Sequence, residues 1–162
     1  MIQTGQKIPS LKLRKVTDSG VEEVTSDDFF RGRKVVLITV PGAFTPVCSN
    51  AHLPGYVNNA DKIKGRGVAE IACLSVNDPH VMRAWGEKQG AGGKVTLLAD
   101  GNAEFTRALG LDIDLGVAGM GVRAKRAALV VDDGVVKSID VEAKPSDVSG
   151  SGADSCLTKL GA

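Results

Sequence analysis

The sequence predicts a mixed α/β fold, and three features carry that prediction. Apolar runs at 34–40, 69–76 and 95–99 have the length of buried strands. Helix signals follow these runs, and alternating strands and helices favour a parallel sheet covered by helices on both faces. Two further apolar runs, 127–131 and 135–141, are joined by a short polar turn ending in glycine, which predicts an antiparallel hairpin beside the parallel strands.

The first half of the chain also carries local signals for short elements. Apolar alternation in 11–16 predicts an edge hairpin with 21–24, and 27–30 predicts a helical turn. After the strand at 34–40, Thr45 suits a helix N-cap and Pro46 suits the first helical position. The pair Pro54-Gly55 predicts a kink or restart in that helix.

The second half continues the alternation. Asp78 and Pro79 predict a helix start, and Gly110 predicts the end of a helix that begins near Ala103. Residues 115–122 are predicted to be a glycine-rich loop, residues 143–152 a flexible segment, and the last ten residues a short helix. The resulting order, β-α-β-α-β-α-β-β-α, is a thioredoxin-like architecture, and we expect one domain over residues 1–162.

Composition excludes several classes of function. The net charge is +1 and aromatic residues are 4% of the chain, which argues against a nucleic-acid surface or an anionic membrane as partner. No apolar run has the length of a membrane span, and no secretory signal precedes the fold. These features predict a cytoplasmic protein, or an organellar one if a transit peptide has been removed. Cys48 and His52 lie four residues apart, a spacing compatible with a metal site, but the sequence has no second Cys/His pair, so no metal site is expected.

Cys48 is the candidate reactive residue. The three cysteines, Cys48, Cys73 and Cys156, form no Cys-x-x-Cys pair, which is typical of reactive or buried thiols in a reducing compartment. Cys48 falls in the first turn of the predicted helix, where unpaired backbone N–H groups stabilise a thiolate. The alternative is a small buried hydrophobic residue, which describes most cysteines outside motifs.

Neighbouring residue types fit an activated thiolate. Thr45 lies three residues before Cys48, so its hydroxyl can face the sulfur, and Pro41 can shield the site from water. A cation is still needed to hold the thiolate, and Arg126, with Arg123 and Lys125 just before it, precedes the strand at 127–131. The alternative for this basic cluster is a solvated strand start.

These residues resemble a known family. Pro41-x-x-x-Thr45-x-x-Cys48 matches the active-site signature of peroxiredoxins, and the longer run 40–55 resembles the peroxiredoxin-5, or plant type II, subfamily. The segments 73–78, 98–101 and 125–134 resemble the same subfamily, so the similarity covers nearly the whole chain in order.

The resemblance implies a thiol-dependent peroxidase that reduces hydrogen peroxide and organic hydroperoxides without metal, haem or flavin. Cys48 would be the peroxidatic cysteine, Thr45 would hydrogen-bond the thiolate and the peroxide, Arg126 would stabilise both, and Pro41 would shield them. Glutaredoxin with glutathione, or thioredoxin, would be the reductant, and a homodimer would form through loops near Phe44. A peroxide sensor and a non-catalytic thioredoxin-fold binding module are the alternative functions.

Three assignments stay open on the sequence. His52 matches a histidine of the subfamily pattern and is either a hydrogen-bonding pocket residue or an activating base. Cys73 matches the resolving cysteine of the plant-type proteins, although its apolar strand also suits an inert core thiol. Cys156 resembles the resolving cysteine of the animal-type proteins less closely, and direct reduction of Cys48 by an external thiol is the third route.

Overall fold

The computed structural model describes residues 1–161 and is built on a seven-stranded mixed sheet. The strands of this sheet are β1 (Lys12–Thr17), β2 (Gly20–Thr25), β3 (Lys34–Val40), β4 (Glu70–Ser75), β5 (Thr96–Ala99), β8 (Ala127–Asp132) and β9 (Val135–Val141). Strands β6 (Asp112–Asp114) and β7 (Val122–Ala124) lie outside it. The helices are α1 (Ser26–Phe30), α2 (Leu53–Asn58), α3 (Ala60–Lys64), α4 (Pro79–Lys88), α5 (Glu104–Leu109) and α6 (Ala153–Lys159). A wide helical turn, Cys48–His52, leads directly into α2.

The strand order confirms the predicted mixed sheet. Across the sheet it is β2-β1-β5-β4-β3-β8-β9, while β6 and β7 form a separate two-stranded hairpin. Strands β3, β4 and β5 are parallel to one another, and β1–β2 and β8–β9 flank them as antiparallel hairpins. The predicted edge hairpin and the predicted C-terminal hairpin are therefore both confirmed.

Side chains on β3 alternate between two hydrophobic cores, one on each face of the sheet. Val36 and Ile38 pack into a core that contains residues of α2, α3, α4 and α6. Val35 and Leu37 pack into the opposite core, which contains residues of α1 and α5. All four are fully buried, as expected for a central strand with helices on both faces.

The structure gives the detail of three local predictions. The predicted restart is present, because the wide turn ends at His52 and α2 begins at Leu53, with Pro54 in its first turn, where the lost proline N–H costs little. A further break follows at Asn59, before α3. The segment 115–122 is a loop, as predicted; it contains a short 3₁₀ turn and connects the paired strands β6 and β7. The segment 143–152 is irregular, but several of its backbone and side-chain groups are hydrogen-bonded to the rest of the protein.

The sheet brings the segment with Cys48 and the segment with Arg126 to the same end of its central strands. The carboxyl end of β3 lies beside the amino end of β8, with Thr39 opposite Ala127. The hydroxyl of Thr39 donates to the carbonyl of Lys125 at 2.7 Å, which fixes the chain just before β8. Because Cys48 follows β3 and Arg126 precedes β8, this pairing places the two residues at the same end of the sheet.

Candidate active site

Cys48 lies at the start of a helix, as the sequence predicts. Helical backbone begins at Pro46, immediately after Thr45, and the Ser49 amide donates to the Thr45 carbonyl at 3.0 Å. The following turn is wide, because the Leu53 amide donates to the Cys48 carbonyl five residues back. Such π-type turns are frequently found at functional sites. Cys48 is fully buried, so its sulfur is kept away from bulk water.

Arg126 places a positive charge beside the Cys48 sulfur. Its Nη2 donates to the Cys48 sulfur at 2.9 Å, its Nη1 contacts Nδ1 of His52 at 2.8 Å, and its Nε donates to the Pro145 carbonyl at 2.8 Å. The guanidinium is 2% exposed and is therefore held on three sides. Because arginine keeps its charge when buried, a permanent positive charge lies against the Cys48 sulfur.

His52 is a neutral hydrogen-bonding residue in this arrangement. Arginine can only donate, so Nδ1 of His52 must accept from Arg126 and carry no proton. The remaining proton is on Nε2, which donates to the Ser151 carbonyl at 3.0 Å. Burial, together with the charge of Arg126, lowers the pKa of His52 to about 4. With both nitrogens engaged, His52 holds the arginine and does not act as a base toward Cys48.

The 143–152 segment completes the support of the site. The Ser151 carbonyl accepts from His52 and also from the Tyr56 hydroxyl, at 2.6 Å. Glu142 in turn holds this segment through the backbone and hydroxyl groups of Ser149 and Ser151. Sequence reasoning missed Glu142, Ser149 and Ser151. The sequence contains no local signal for them, since Ser151 meets His52 across 99 positions of the chain.

Thr45 is oriented differently from the expectation. Its hydroxyl donates its one proton to the Gly42 carbonyl at 2.6 Å, so this proton is not directed at Cys48. The hydroxyl oxygen keeps its lone pairs and can accept a hydrogen bond from a donor that enters the site. The loop that carries Thr45 is also held by the turn after β4, because the Ala43 amide donates to Oδ1 of Asn77 at 2.9 Å.

Pro41 and Arg123 form the wall of the site next to this loop. Pro41 is buried, and its carbonyl accepts from Nη1 of Arg123 at 3.4 Å. Nε of Arg123 donates to the Met120 carbonyl at 2.9 Å. Within the basic cluster, Arg126 is the residue that contacts Cys48, and Arg123 instead fixes the wall.

The two other cysteines are buried in the same core as Cys48. Burial raises the pKa of Cys73, and the nearby Cys48 raises it further. Burial likewise raises the pKa of Cys156 to about 11. Both thiols therefore stay protonated at neutral pH, which makes each a slow nucleophile in the folded protein.

Residues 1–161 contain no group of three or more His, Cys, Asp or Glu side chains arranged to hold a metal ion. In the same residues, no helix has the length and apolar character needed to cross a membrane. The chemistry that the described site offers is that of a buried sulfur with a permanent cation and directed hydrogen bonds around it.

A helix-start cysteine held by a buried arginine on a thioredoxin-like sheet defines a cysteine-based redox protein. A family model described as Redoxin matches residues 3–157. The crystal structure of reduced Prx3 in complex with hydrogen peroxide from Vibrio vulnificus is similar over 99% of both chains, with a TM-score of 0.93 and 47% identity. Peroxiredoxin-2E-2, chloroplastic, of Oryza sativa is 49% identical over 87% of this chain. The chain therefore belongs to the redoxin family, among the type II peroxiredoxins.

The relatives differ in length and in the compartment that they are named for. The chain spans 65% of the chloroplastic rice protein, so it matches about two thirds of that relative's length. Peroxiredoxin-2F, mitochondrial, of the same species is 41% identical, with 94% of this chain and 80% of the relative covered.

Proposed function

We propose that the protein is a thiol-dependent peroxidase that reduces hydrogen peroxide and organic hydroperoxides at Cys48. The observation that carries this proposal is the 2.9 Å contact between Nη2 of Arg126 and the Cys48 sulfur at a buried helix start. A similar structure is named as a peroxiredoxin in complex with hydrogen peroxide, which supports peroxide as the substrate.

In the proposed reaction, the Cys48 thiolate attacks the terminal oxygen of the hydroperoxide. A sulfur–oxygen bond forms as the oxygen–oxygen bond breaks, and the products are a cysteine sulfenic acid and an alkoxide or hydroxide, which takes a proton from solvent. Arg126 and the helix-start amides stabilise the negative charge as it moves from sulfur to the leaving oxygen. The Thr45 oxygen accepts a hydrogen bond from the peroxide, and Pro41 keeps water away.

Recycling of the sulfenic acid needs a second thiol. We propose that Cys73 supplies it, forming a Cys48–Cys73 disulfide and releasing water, and that glutaredoxin with glutathione, or thioredoxin, then reduces the disulfide. The raised pKa of Cys73 and its place within β4 make this step slow, because the Cys48 turn must unwind before the sulfurs can meet. Slow resolution leaves time for oxidation of Cys48 to sulfinic acid.

We also propose a homodimer that forms through the loop carrying Phe44. This side chain is 50% exposed, and Phe44 adopts a positive φ of 63°, which costs free energy in a non-glycine residue. A second copy that covers the ring would repay part of that cost by removing apolar surface from water. Sedimentation of the protein and of Phe44→Ala tests this, with a dimer expected for the first and a monomer for the second.

The cytoplasmic location stays a prediction, since the relatives are named for chloroplasts and mitochondria.

Peroxide consumption and mass spectrometry test the proposal together. Cys48→Ser is expected to abolish turnover with an intact fold, and retention of the wild-type rate would reject the assignment. After one equivalent of peroxide, peptide mapping should show Cys48 joined to Cys73, and Cys156→Ser should behave as wild type. A Cys48–Cys156 disulfide, or a glutathione adduct as the sole product, would reject Cys73 as the resolving residue and leave the peroxidase assignment intact.

A further inference from the structure

The position of Arg126 depends on a chain of hydrogen bonds that ends far from the sulfur. Arg126 is held by Nδ1 of His52 at 2.8 Å, and His52 is held by the Ser151 carbonyl at 3.0 Å. Ser151 belongs to an irregular segment with no helix or strand hydrogen bonds of its own to fix it. Whatever fixes Ser151 therefore also fixes the orientation of the guanidinium at Cys48.

Glu142 is the residue that fixes this segment. Its Oε2 accepts from the Ser149 amide at 2.7 Å, the Ser151 amide at 3.0 Å and the Ser151 hydroxyl at 2.5 Å, and its Oε1 accepts from the Ser149 hydroxyl at 2.8 Å. The backbone amide of Glu142 also donates to the Arg126 carbonyl at 2.9 Å. One residue thus binds the backbone of the arginine and the turn that orients its side chain.

We propose that Glu142 is a positioning residue for peroxide reduction. By holding Ser149 and Ser151, it places the Ser151 carbonyl where His52 must donate to it, so that the other nitrogen of His52 faces Arg126. The guanidinium is then kept against Cys48 and cannot turn away. This inference rests on the proposed peroxidase function for its kinetic consequence, while its effect on His52 and on the Cys48 thiol does not depend on that function.

The protonation states of the two groups agree with this role. Burial alone would raise the pKa of Glu142, but the hydrogen bonds from Ser151 and Ser149 outweigh it and lower the value to about 2. The carboxylate is therefore ionised throughout the physiological range and keeps all four acceptor contacts. His52 stays neutral because burial and Arg126 oppose its protonation.

Two substitutions at Glu142 separate positioning from charge. Glu142→Ala removes every side-chain contact to the serines. Glu142→Gln removes the charge, but its carbonyl can keep the three contacts of Oε2, and its NH₂ group can donate to the Ser149 hydroxyl. A positioning role predicts a large effect for the first variant and a near-normal second variant. Asp147→Asn is the matched control, because Asp147 is an exposed acid in the same segment.

Three measurements test the proposal on the full-length protein. We expect Glu142→Ala to slow peroxide reduction about 10- to 100-fold, as small displacements of catalytic groups do. Alkylation of Cys48 by iodoacetamide without peroxide should slow in the same variant. The imidazole nitrogen resonances of His52 should change from the single Nε2–H tautomer to a mixture. Glu142→Gln and Asp147→Asn should stay within a few-fold of wild type in all three.

Each alternative outcome has a defined meaning. Unchanged His52 resonances and alkylation in a folded Glu142→Ala protein would overturn the proposal, and so would a Glu142→Gln protein as impaired as Glu142→Ala, since charge would then be the property that matters. If Glu142→Ala does not fold, Ser151→Ala is measured in its place. This variant loses one of the four contacts with Glu142, so it should show the same changes at smaller size. A folded Ser151→Ala protein with unchanged His52 resonances and unchanged alkylation would overturn the proposal. A wild-type protein that consumes no peroxide would reject the peroxidase function. If Glu142→Ala still altered the His52 resonances and the alkylation of Cys48, the role of Glu142 would be supported all the same.

Discussion

The pH dependence of stability offers a direct test of how His52 is held. In the folded protein its pKa is lowered from 6.5 to about 4 by burial and by Arg126. Above pH 6.5 the histidine is neutral in both the folded and the unfolded chain, and it contributes no pH dependence. Below that pH the unfolded chain takes up a proton that the folded protein refuses, so the free energy of unfolding falls as the pH drops toward 4.

The size of this loss follows from the difference in pKa. Each pKa unit corresponds to about 1.4 kcal/mol, so acidification from about pH 7 to about pH 4.5 should remove about 2.5 kcal/mol of stability through His52. Glu142, whose pKa is lowered from 4.5 to about 2, loses most of its own stabilising contribution below this lower limit. His52 is 1% exposed, so solvent screens this effect little.

Urea unfolding followed by circular dichroism measures the effect at a series of pH values. The chain has two histidines, which gives a matched control: His52→Gln should remove the acid-dependent loss, and His80→Gln, at an exposed position, should leave it unchanged. Glutamine can accept from Arg126 and donate to Ser151, so the first variant should remain folded. If wild type and His52→Gln lose stability equally on acidification, the neutral, arginine-bound histidine is not the folded-state arrangement.

Three further predictions concern the site and its support. Arg126→Lys should slow peroxide reduction about 100- to 1000-fold, because the single nitrogen of an ammonium cannot reach the three partners that the planar guanidinium contacts through Nε, Nη1 and Nη2, whereas Arg123→Ala should cost less; stopped-flow measurements giving equal losses would contradict this. Ser49→Ala leaves the buried indole N–H of Trp85 without its 2.9 Å partner and should lower the free energy of unfolding by about 1–3 kcal/mol, so an unchanged urea midpoint would refute the loss. In Gly42→Ala the new methyl group would lie 2.8 Å from Nη1 of Arg123, so we expect slower turnover with nearly unchanged stability, and a wild-type rate would argue against a constrained wall.

The strands were predictable because their signal is local. Alternate residues of β3 face opposite cores, and a continuous apolar run such as 35–38 is what a strand covered on both faces requires. The N-cap of α4 was predictable for a similar reason, since Asp78 accepts from the amides of His80 and Val81, two and three residues ahead. Interactions of this kind are determined within one turn of chain.

The π-type turn at Cys48–His52 and the β6–β7 hairpin were not predictable in the same way. The first contains His52, whose Nε2 meets the Ser151 carbonyl 99 positions further along the chain. The second pairs Asp112–Asp114 with Val122–Ala124 across a glycine-rich stretch with no alternating apolar pattern. Propensity in such stretches is weak, and packing against the rest of the protein decides the outcome.

The sequence by itself determined the α/β class, the helix start at Cys48 and, through its resemblance to peroxiredoxins, the residue types of the site. Only the tertiary structure decided how those residues are oriented. It directed the Thr45 proton to Gly42, gave His52 one tautomer, and made Glu142 the anchor of a segment that the sequence suggested was flexible. The physical reason is range, since a strand or a cap is determined by neighbours along the chain, whereas the direction of a proton depends on donors and acceptors that meet only after the sheet has formed.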